Sequence, residues 1–333
     1  MPLTTPHAHN LACLAALRPS LRFDGATPFD IWQKLACARL WELLGMDRFT
    51  RCDPLFAAEE PIEFPDHTRT RFTFQSEEGY TVPGWWCVPD TGKAAYPVMI
   101  CLQGHSSGMH NSLGEVKFPC DAKDKEGHRD FAIQALAHGC AALVLEQRNF
   151  GECGARPEGG PDCHRSTMAA LLQGRTTIGE RVWDVMRAID LLGVHLPGAD
   201  TGRIACMGNS GGGTATFYAA CLEPRIGAAM PSCAITSYDA SIAPISHCVC
   251  NHIPRIRQYF DMGDLGGLIA PRPLVVVAGA LDNIFPIGPT RETFAQIEAM
   301  YAAAGAGGRC ALHVGAGGHQ FYLEAWEDFE RLV

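Results

Sequence analysis

The strongest constraint on the fold is a series of short, continuous apolar runs separated by segments with helical periodicity. Strands that are apolar on both faces are typical of a parallel sheet covered by helices on each side. Residues 71–88 instead alternate, with a turn at Glu78-Gly79, and predict an antiparallel hairpin at the sheet edge. The chain is therefore predicted to be an α/β protein with an open, mostly parallel sheet. The predicted buried strands are 97–102, 141–145, 204–207, 274–278 and 310–314.

The segments between these runs predict helices and two long connections. Residues 29–45 have apolar residues at helical spacing and stop at Gly45, which is typical of a helix end. Neither a linker nor a repeat divides the chain, so residues 1–333 are predicted to form one domain with an N-terminal helical extension over 1–70. Two long connections, 151–177 and 232–273, are predicted to be lid-like insertions that line a substrate pocket. Further helices are predicted at 129–137, 179–192, 214–222, 290–304 and 322–332.

The net charge of the chain argues against some kinds of binding partner. A net charge of −9 with no basic run argues against nucleic acid or an anionic membrane as the partner, and favours a small-molecule substrate. The first residues lack the pattern of a signal peptide, and no segment has the length of a membrane span. The fifteen cysteines are scattered, and we expect most to be reduced, in a cytoplasmic protein. Whether the chain forms a homo-oligomer stays open.

One cluster of cysteines and histidines comprises His247, Cys248, Cys250 and His252. Its C-x-C spacing does not match the usual zinc patterns, so we expect a buried structural cluster, with no metal and no cofactor. A metal-dependent protein that uses these four residues is the alternative, and stoichiometric zinc in the purified protein would support it.

The segment Gly208-Asn-Ser210-Gly-Gly212 matches the G-x-S-x-G nucleophile elbow, with a predicted strand before it and a helix after it. Small residues around the serine allow the tight turn that exposes its hydroxyl at the end of a sheet. The five residues alone fit a Gly/Ser-rich connector equally well. The prediction of a nucleophile therefore depends on a base and an acid elsewhere in the chain.

Both partners follow in the order of the α/β-hydrolases. Asp282 comes directly after the strand 274–278, and His319 comes after 310–314 in a glycine-rich loop. Each has an ordinary interpretation, as a turn aspartate and a loop histidine. Their joint position predicts a triad of Ser210, Asp282 and His319, in which histidine is the base and aspartate orients it. Asp261 and Asp264 are less suitable acids because they precede the strand 274–278, and His313 is a less suitable base because it lies inside the strand 310–314.

An oxyanion hole needs backbone N–H groups aimed at the developing negative charge. One is predicted from Gly211, the residue after the nucleophile. The second is predicted from the loop after strand 97–102, where Gly104 allows a close approach and His105 or Ser106 offers the N–H. A simple glycine turn is the alternative. We assign the second donor to His105 and place Gln103, Gly104 and Ser106 on the substrate rim.

A further polar group follows the strand 141–145. Arg148 and Glu146 either contact the substrate at the rim or form an ion pair that holds the rim loops. We favour the ion pair.

Together these residues resemble the α/β-hydrolase superfamily, and within it the branch of the dienelactone hydrolases and acetyl xylan esterases. The resemblance covers the chain from about Phe29 to the end, and implies an eight-stranded, mostly parallel sheet with the triad at its C-terminal edge. Two departures are Gln103, where many relatives have histidine, and Ser210, where dienelactone hydrolases use cysteine. Besides the triad and its flanking glycines, five stretches carry the resemblance: 102–106, 148–152, 183–190, 264–273 and 279–286.

The resemblance implies hydrolysis of a carboxylic ester through an acyl-enzyme, without metal or cofactor, with a small acyl group such as acetyl. A peptidase, amidase or thioesterase with the same triad is the alternative within the enzymes. The alternative from another class is a catalytically inactive binding protein on a hydrolase fold, which predicts no reaction with a fluorophosphonate probe. The sequence does not identify the acyl or alcohol group.

Overall fold

The computed structural model describes residues 4–156 and 160–333. Within these residues the strands form one sheet of ten members. They are β1 (Ala57–Ala58), β2 (Ile62–Glu63), β3 (His67–Glu77), β4 (Tyr80–Pro89), β5 (Tyr96–Leu102), β6 (Ala141–Leu145), β7 (Ala199–Asn209), β8 (Ile226–Ser232), β9 (Leu274–Gly279) and β10 (Cys310–Gly315). Their order is β1-β3-β4-β6-β5-β7-β8-β9-β10, with β2 beside β3.

The sheet is mixed and mostly parallel, as the sequence predicts. From β6 through β5 to β10 all neighbours are parallel, whereas β3, β4 and β6 pair antiparallel. The predicted hairpin is β3 and β4, which turn at Glu78 and Gly79 and lie towards one edge. The eight longer strands, β3 to β10, form the predicted eight-stranded sheet, and two short strands extend its edge.

One of the eight longer strands, β8, was not predicted, and neither were the short β1 and β2. The segment of β8, Ile-Gly-Ala-Ala-Met-Pro-Ser, contains residues with low strand propensity, including Gly227 and Pro231. It is nevertheless a strand because it pairs with β7 on one side and β9 on the other, in the centre of the parallel region. Tertiary pairing therefore decides this element against its local preference.

Helices cover both faces of the sheet. The predicted first helix is confirmed as α2, which ends at Leu44, and the other five predicted helices are present with shifted ends. Four helices were missed: α1 (Pro6–Ala16), α3 (Asp121–Glu126), α5 (His164–Leu172), which lies inside the first insertion, and α8 (Met262–Gly266), which lies inside the second. No helix in the described part of the chain combines the length and hydropathy that a membrane span requires. The helices are α1 (Pro6–Ala16), α2 (Phe29–Leu44), α3 (Asp121–Glu126), α4 (Phe131–Ala137), α5 (His164–Leu172), α6 (Thr177–Ile189), α7 (Gly211–Leu222), α8 (Met262–Gly266), α9 (Ile287–Ala303) and α10 (Ala325–Leu332).

The continuous apolar runs are explained by burial on two sides. In β5, Val98 and Ile100 pack into one core cluster, and Met99 and Cys101 pack into another. The first cluster includes residues of α2, α6, α7 and α9, and the second includes residues of α4 and α10. Burying both faces in this way fixes the strands in register, so that the C-terminal ends of the parallel strands meet at one edge.

The N-terminal helix α2 is predicted to be part of the core. Leu40 on this helix is fully buried, whereas Leu35 on the same helix is 55% exposed. We expect Leu40→Ala to lower the free energy of unfolding by about 2–5 kcal/mol, because it leaves a cavity. The control Leu35→Ala should change it by no more than about 0.5 kcal/mol. Urea unfolding measures both, and equal small effects would mean that α2 contributes little to the core.

Candidate active site

Ser210 lies in a strained turn between β7 and α7. Its backbone has φ 56° and ψ −120°, a conformation that is rare for a residue with a side chain and costs about 1–3 kcal/mol. The turn packs tightly against the end of β5, because a Cβ on Gly212 would lie 2.0 Å from the carbonyl oxygen of Leu102. A strained serine between a strand and a helix, with small neighbours, is the geometry of a nucleophile elbow.

Asp282 and His319 are in contact. Asp282 follows β9 and His319 follows β10, and His319 Nδ1 lies 2.8 Å from Asp282 Oδ2. The other carboxylate oxygen, Oδ1, accepts hydrogen bonds from the backbone N–H groups of Ile284 at 2.8 Å and Phe285 at 3.1 Å. The ring of Phe285 stacks on the imidazole with a centroid distance of 6.0 Å. The aspartate is thus fixed by its own turn and holds the histidine.

The electrostatics keep Asp282 ionised. Burial raises the pKa of its carboxyl group. The hydrogen bond from His319 and the two backbone N–H groups together lower the pKa by more than burial raises it, so the net shift is downward. A carboxylate that accepts the Nδ1 proton fixes the tautomer of the imidazole. Nε2 of His319 is then free to accept a proton.

Ser210 lies at the same sheet edge as this pair. Its N–H donates to the carbonyl of Ser232 at 2.8 Å, and the Ser232 hydroxyl donates to the carbonyl of Gln320, beside His319, at 3.4 Å. Sequence reasoning missed Ser232 because it ends β8, the strand that was not predicted. The described residues contain no hydrogen bond from Ser210 Oγ to His319, a contact that often forms only when substrate binds.

The loop after β5 lies against the elbow. A Cβ on Gly104 would lie 2.8 Å from the carbonyl oxygen of Asn209 and 3.2 Å from Cβ of Ser210, so a glycine permits this approach. Gly211 is the first residue of α7, where helix geometry leaves the N–H without an intrahelical acceptor. Across residues 4–156 and 160–333, neither the N–H of Gly211 nor that of His105 donates a hydrogen bond.

The side chains predicted for the substrate rim are buried. Gln103 donates its side-chain amide to Glu146, and its own carbonyl accepts from Gln147. Ser106 Oγ is buried and has no hydrogen-bond partner among the described residues. Of the rim set, Gly104 and the carbonyl of Gln103 lie against the elbow, while the side chain of Gln103 is directed to Glu146.

The expectation of an ion pair between Arg148 and Glu146 is wrong, because Arg148 pairs with other acids. Arg148 forms two hydrogen bonds of 2.8 Å to the carboxylate of Asp184 in α6 and one of 2.7 Å to Glu77 in β3. Its guanidinium also lies over the ring of Tyr80 at 3.9 Å. Arg148 is buried in this network, and its partners come from distant parts of the chain.

The predicted cluster of His247, Cys248, Cys250 and His252 is divided in the structure. His247 lies 2.8 Å from the hydroxyl of Ser241, and burial lowers its pKa. His252 is exposed. Cys248 and Cys250 instead lie together with His105 and Cys163. The expectation of one cluster formed by these four residues is therefore wrong.

No family model matches the chain. A protein of Bacillus subtilis (strain 168), named "Putative hydrolase YtaP", is 21% identical over 240 residues, which cover 71% of this chain and 77% of that protein.

Solved structures are similar over almost the whole chain. A "putative acetyl xylan esterase" from Bacteroides fragilis NCTC 9343 superposes with a TM-score of 0.78 at 16% identity, covering 94% of this chain and 83% of that one. A glucuronoyl esterase from Solibacter usitatus gives a TM-score of 0.69 at 15% identity, covering 99% and 97%. With the sheet described above, these similarities show that the chain has the α/β-hydrolase fold.

A testable consequence concerns the buried Glu146 beneath the loop after β5. Burial raises the pKa of its carboxyl group from 4.5 to about 8, although the N–H groups of Met109 and Glu152 donate to it and lower the pKa. The folded state therefore binds a proton that the unfolded state releases, and this contribution to stability is lost as pH rises from about 4.5 through about 8.

We expect Glu146→Gln to remove this pH dependence. Between pH 6 and 8 the free energy of unfolding of the wild type should fall relative to that of the variant by up to about 1.4 kcal/mol per pH unit. Denaturant titration at several pH values measures the difference, in which the other titrating groups cancel. A constant difference across this range would contradict a raised pKa at Glu146.

Proposed function

We propose that this α/β-hydrolase-fold chain is a serine esterase that cleaves a carboxylic ester through an acyl-enzyme on Ser210. The observation that carries the proposal is the strained turn at Ser210, which shares one sheet edge with the hydrogen-bonded pair of Asp282 and His319. Backbone strain of this kind persists where function requires it. A partly exposed serine, an oriented imidazole and a buried carboxylate are the groups that nucleophilic catalysis requires.

The first half of the reaction forms the acyl-enzyme. Nε2 of His319 takes the proton of the Ser210 hydroxyl while Oγ attacks the acyl carbon, and the carbonyl oxygen becomes an oxyanion. The same imidazole then gives its proton to the leaving alcohol as the C–O bond breaks. Asp282 stabilises the imidazolium that exists between these two steps, and its low pKa supports this role.

The oxyanion is stabilised by the N–H groups of Gly211 and His105 in this mechanism. Both donors are without an acceptor in the described structure, and the contact between Gly104 and Ser210 supports their position beside the nucleophile. Donors that are fixed in advance need no reorganisation during the reaction. In the second half His319 removes a proton from water, which attacks the acyl carbon and releases Ser210.

The substrate class is inferred from the relatives. Two similar structures carry the names of acetyl xylan and glucuronoyl esterases, which supports an ester of a carbohydrate or a similar polar alcohol with a small acyl group. We propose that the insertions 151–177 and 232–273 line the pocket of this single domain and select the substrate. All fifteen cysteines are free, which supports a cytoplasmic location.

The nucleophile can be tested directly. We expect the wild type to react with a fluorophosphonate probe and to hydrolyse p-nitrophenyl acetate, because both reactions need an activated serine. Ser210→Ala should abolish labelling and lower kcat by about 10³-fold or more. The control Ser20→Ala changes an exposed serine outside both insertions and should leave both unchanged. Full activity in Ser210→Ala would contradict the mechanism.

The orienting role of Asp282 gives a separate prediction. Asp282→Asn keeps the size of the side chain but no longer fixes the imidazole tautomer, so we expect kcat to fall about 10⁴-fold with little change in KM. Steady-state kinetics with the same ester measures this, and circular dichroism checks that the variant folds. Unchanged kcat would mean that another acid orients His319.

Chemical selectivity distinguishes the alternative hydrolases. A panel of p-nitrophenyl esters of increasing acyl length should show the highest kcat/KM with acetyl. The matched anilides should be cleaved much more slowly, because the leaving amine is poorer. Faster cleavage of the anilide would indicate an amidase, and absence of both activities together with absence of probe labelling would indicate a binding protein.

A further inference from the structure

Four side chains that can bind a metal meet beside the proposed active site. His105 follows β5, Cys163 caps the N-terminus of α5, and Cys248 and Cys250 belong to a short helical turn in the second insertion. Their ligand atoms all lie within 4.8 Å of one another, and His105 Nε2 lies 3.1 Å from Cys250 Sγ. We propose that these four residues bind one Zn²⁺ ion as a structural site that joins both insertions to the loop after β5.

The separation of the ligand atoms fits a tetrahedral site. Zinc–sulfur bonds of about 2.3 Å and a zinc–nitrogen bond of about 2.0 Å place the four ligand atoms about 3.5–3.8 Å apart. The described ligand atoms, which all lie within 4.8 Å of one another, exceed this spacing by about 1 Å at most. Cys163 and Cys250 are buried, as in structural zinc sites, which have no open position for water.

The ligand types favour zinc over the common alternatives. Three thiolates and an imidazole form a soft ligand set that excludes Mg²⁺ and Ca²⁺, which prefer oxygen. Cys₃His is an established combination for structural zinc. The ordinary interpretation, that free cysteines act as small apolar side chains, explains the cysteines inside the strands, but it does not explain three thiols and an imidazole from three chain segments at one point.

An independent observation is the buried guanidinium of Arg181. This side chain is 2% exposed, and no carboxylate in the described residues lies within 4.0 Å of it. Its Nη1 lies 3.6 Å from Cys250 Sγ, its Nη2 lies 3.7 Å from Cys163 Sγ, and Phe150 covers it at 4.2 Å. A buried cation requires a counter-charge, and among the described residues the groups in contact with it that can carry one are the thiols of Cys163 and Cys250.

Charge balance connects this arginine to the metal. Three neutral thiols would leave Arg181 without compensation, and three thiolates without a metal would place three negative charges in one buried volume. One Zn²⁺ with three thiolates and a neutral imidazole carries a net charge of −1, which the single positive charge of Arg181 neutralises. The metal and the arginine together therefore leave the buried site uncharged.

The proposed site also has a consequence for catalysis, which rests on the proposed function. The ring of His105 lies against the elbow, since a Cβ on Gly211 would be 2.7 Å from His105 Nδ1. A metal bond at Nε2 fixes this ring, and with it the backbone of the loop that offers the second oxyanion donor. His105, Cys163, Cys248 and Cys250 are thus positioning residues, connected to catalysis through the loop.

Metal analysis of the full chain tests the site. We expect the protein purified after expression with added zinc to contain about one zinc per chain by plasma mass spectrometry. X-ray absorption at the zinc edge should give three sulfurs at about 2.3 Å and one nitrogen at about 2.0 Å. A protein that retains no zinc after equilibration and desalting, an oxygen-dominated shell, or an intact mass two hydrogens lighter because of a disulfide would overturn the proposal.

Variants assign the ligands. Cys248→Ser should lower the affinity for zinc at least about 10-fold in a chelator competition, because hydroxyl is a poor zinc ligand. The control Cys310→Ser changes a similarly half-buried thiol in β10 and should keep the wild-type affinity. Equal affinity in both variants would contradict the assignment. If Cys248→Ser does not fold, cobalt bound to the wild type decides instead, since tetrahedral thiolate coordination gives intense visible bands and their absence would overturn the site.

Kinetics separate this inference from the function on which its last step rests. Chelation of zinc should lower kcat with p-nitrophenyl acetate more than it raises KM, because an oxyanion donor acts mainly in the transition state. An unchanged kcat would contradict the positioning role. Stoichiometric zinc in a protein without esterase activity would contradict the proposed function and support the site, whereas an active, zinc-free esterase would contradict the site alone.

Discussion

The turn at Ser210 is the constraint on which the site depends. A serine at φ 56° is held there by contacts on both sides: its N–H is bonded to the end of β8, and Gly212 is pressed against the end of β5. The strain of about 1–3 kcal/mol is offset by burial of the two-sided sheet, because β7 is fixed between two parallel neighbours. The strained turn at Ser210 therefore depends on the core and not on the five-residue motif alone.

Sequence reasoning identified most of the elements and the members of the proposed triad, for a physical reason. Residues that follow parallel strands must meet at one edge, so the positions of Ser210, Asp282 and His319 after apolar runs were informative. β8 was missed because its alanines, glycine and proline carry no local strand signal, and pairing alone makes it a strand. The partners of Arg148 were missed because ion pairs between distant segments leave no periodic pattern.

The buried side chains of Arg148 and Arg181 show why the partners of buried charges cannot be predicted from the sequence. Arg148 and Arg181 lie close together, since Arg181 donates to the carbonyl of Arg148 at 2.9 Å. Arg148 is compensated by Asp184 and Glu77, whereas Arg181 faces sulfur atoms. Neither the C-x-C pair nor Cys163 resembles a zinc motif in sequence, because the ligands come from three segments. The signal that could have revealed the site is a buried cation without a carboxylate, which is visible in three dimensions alone.

The sheet and the proposed zinc would position different parts of the site. The sheet holds the proposed triad of Ser210, Asp282 and His319 at the ends of β7, β9 and β10, and both faces of the sheet are packed in the core. In the described residues the loop after β5 and the two insertions connect elements of the sheet without adding further strands to it, and long connections are ordinarily among the less stable parts of a domain. Residues of the second insertion such as Ile253 and Phe260 pack into the core. Four bonds to one ion would in addition join all three segments to one another at His105, whose N–H is the proposed second oxyanion donor. The proposed zinc would therefore supply to the oxyanion loop the rigidity that the sheet supplies to the triad.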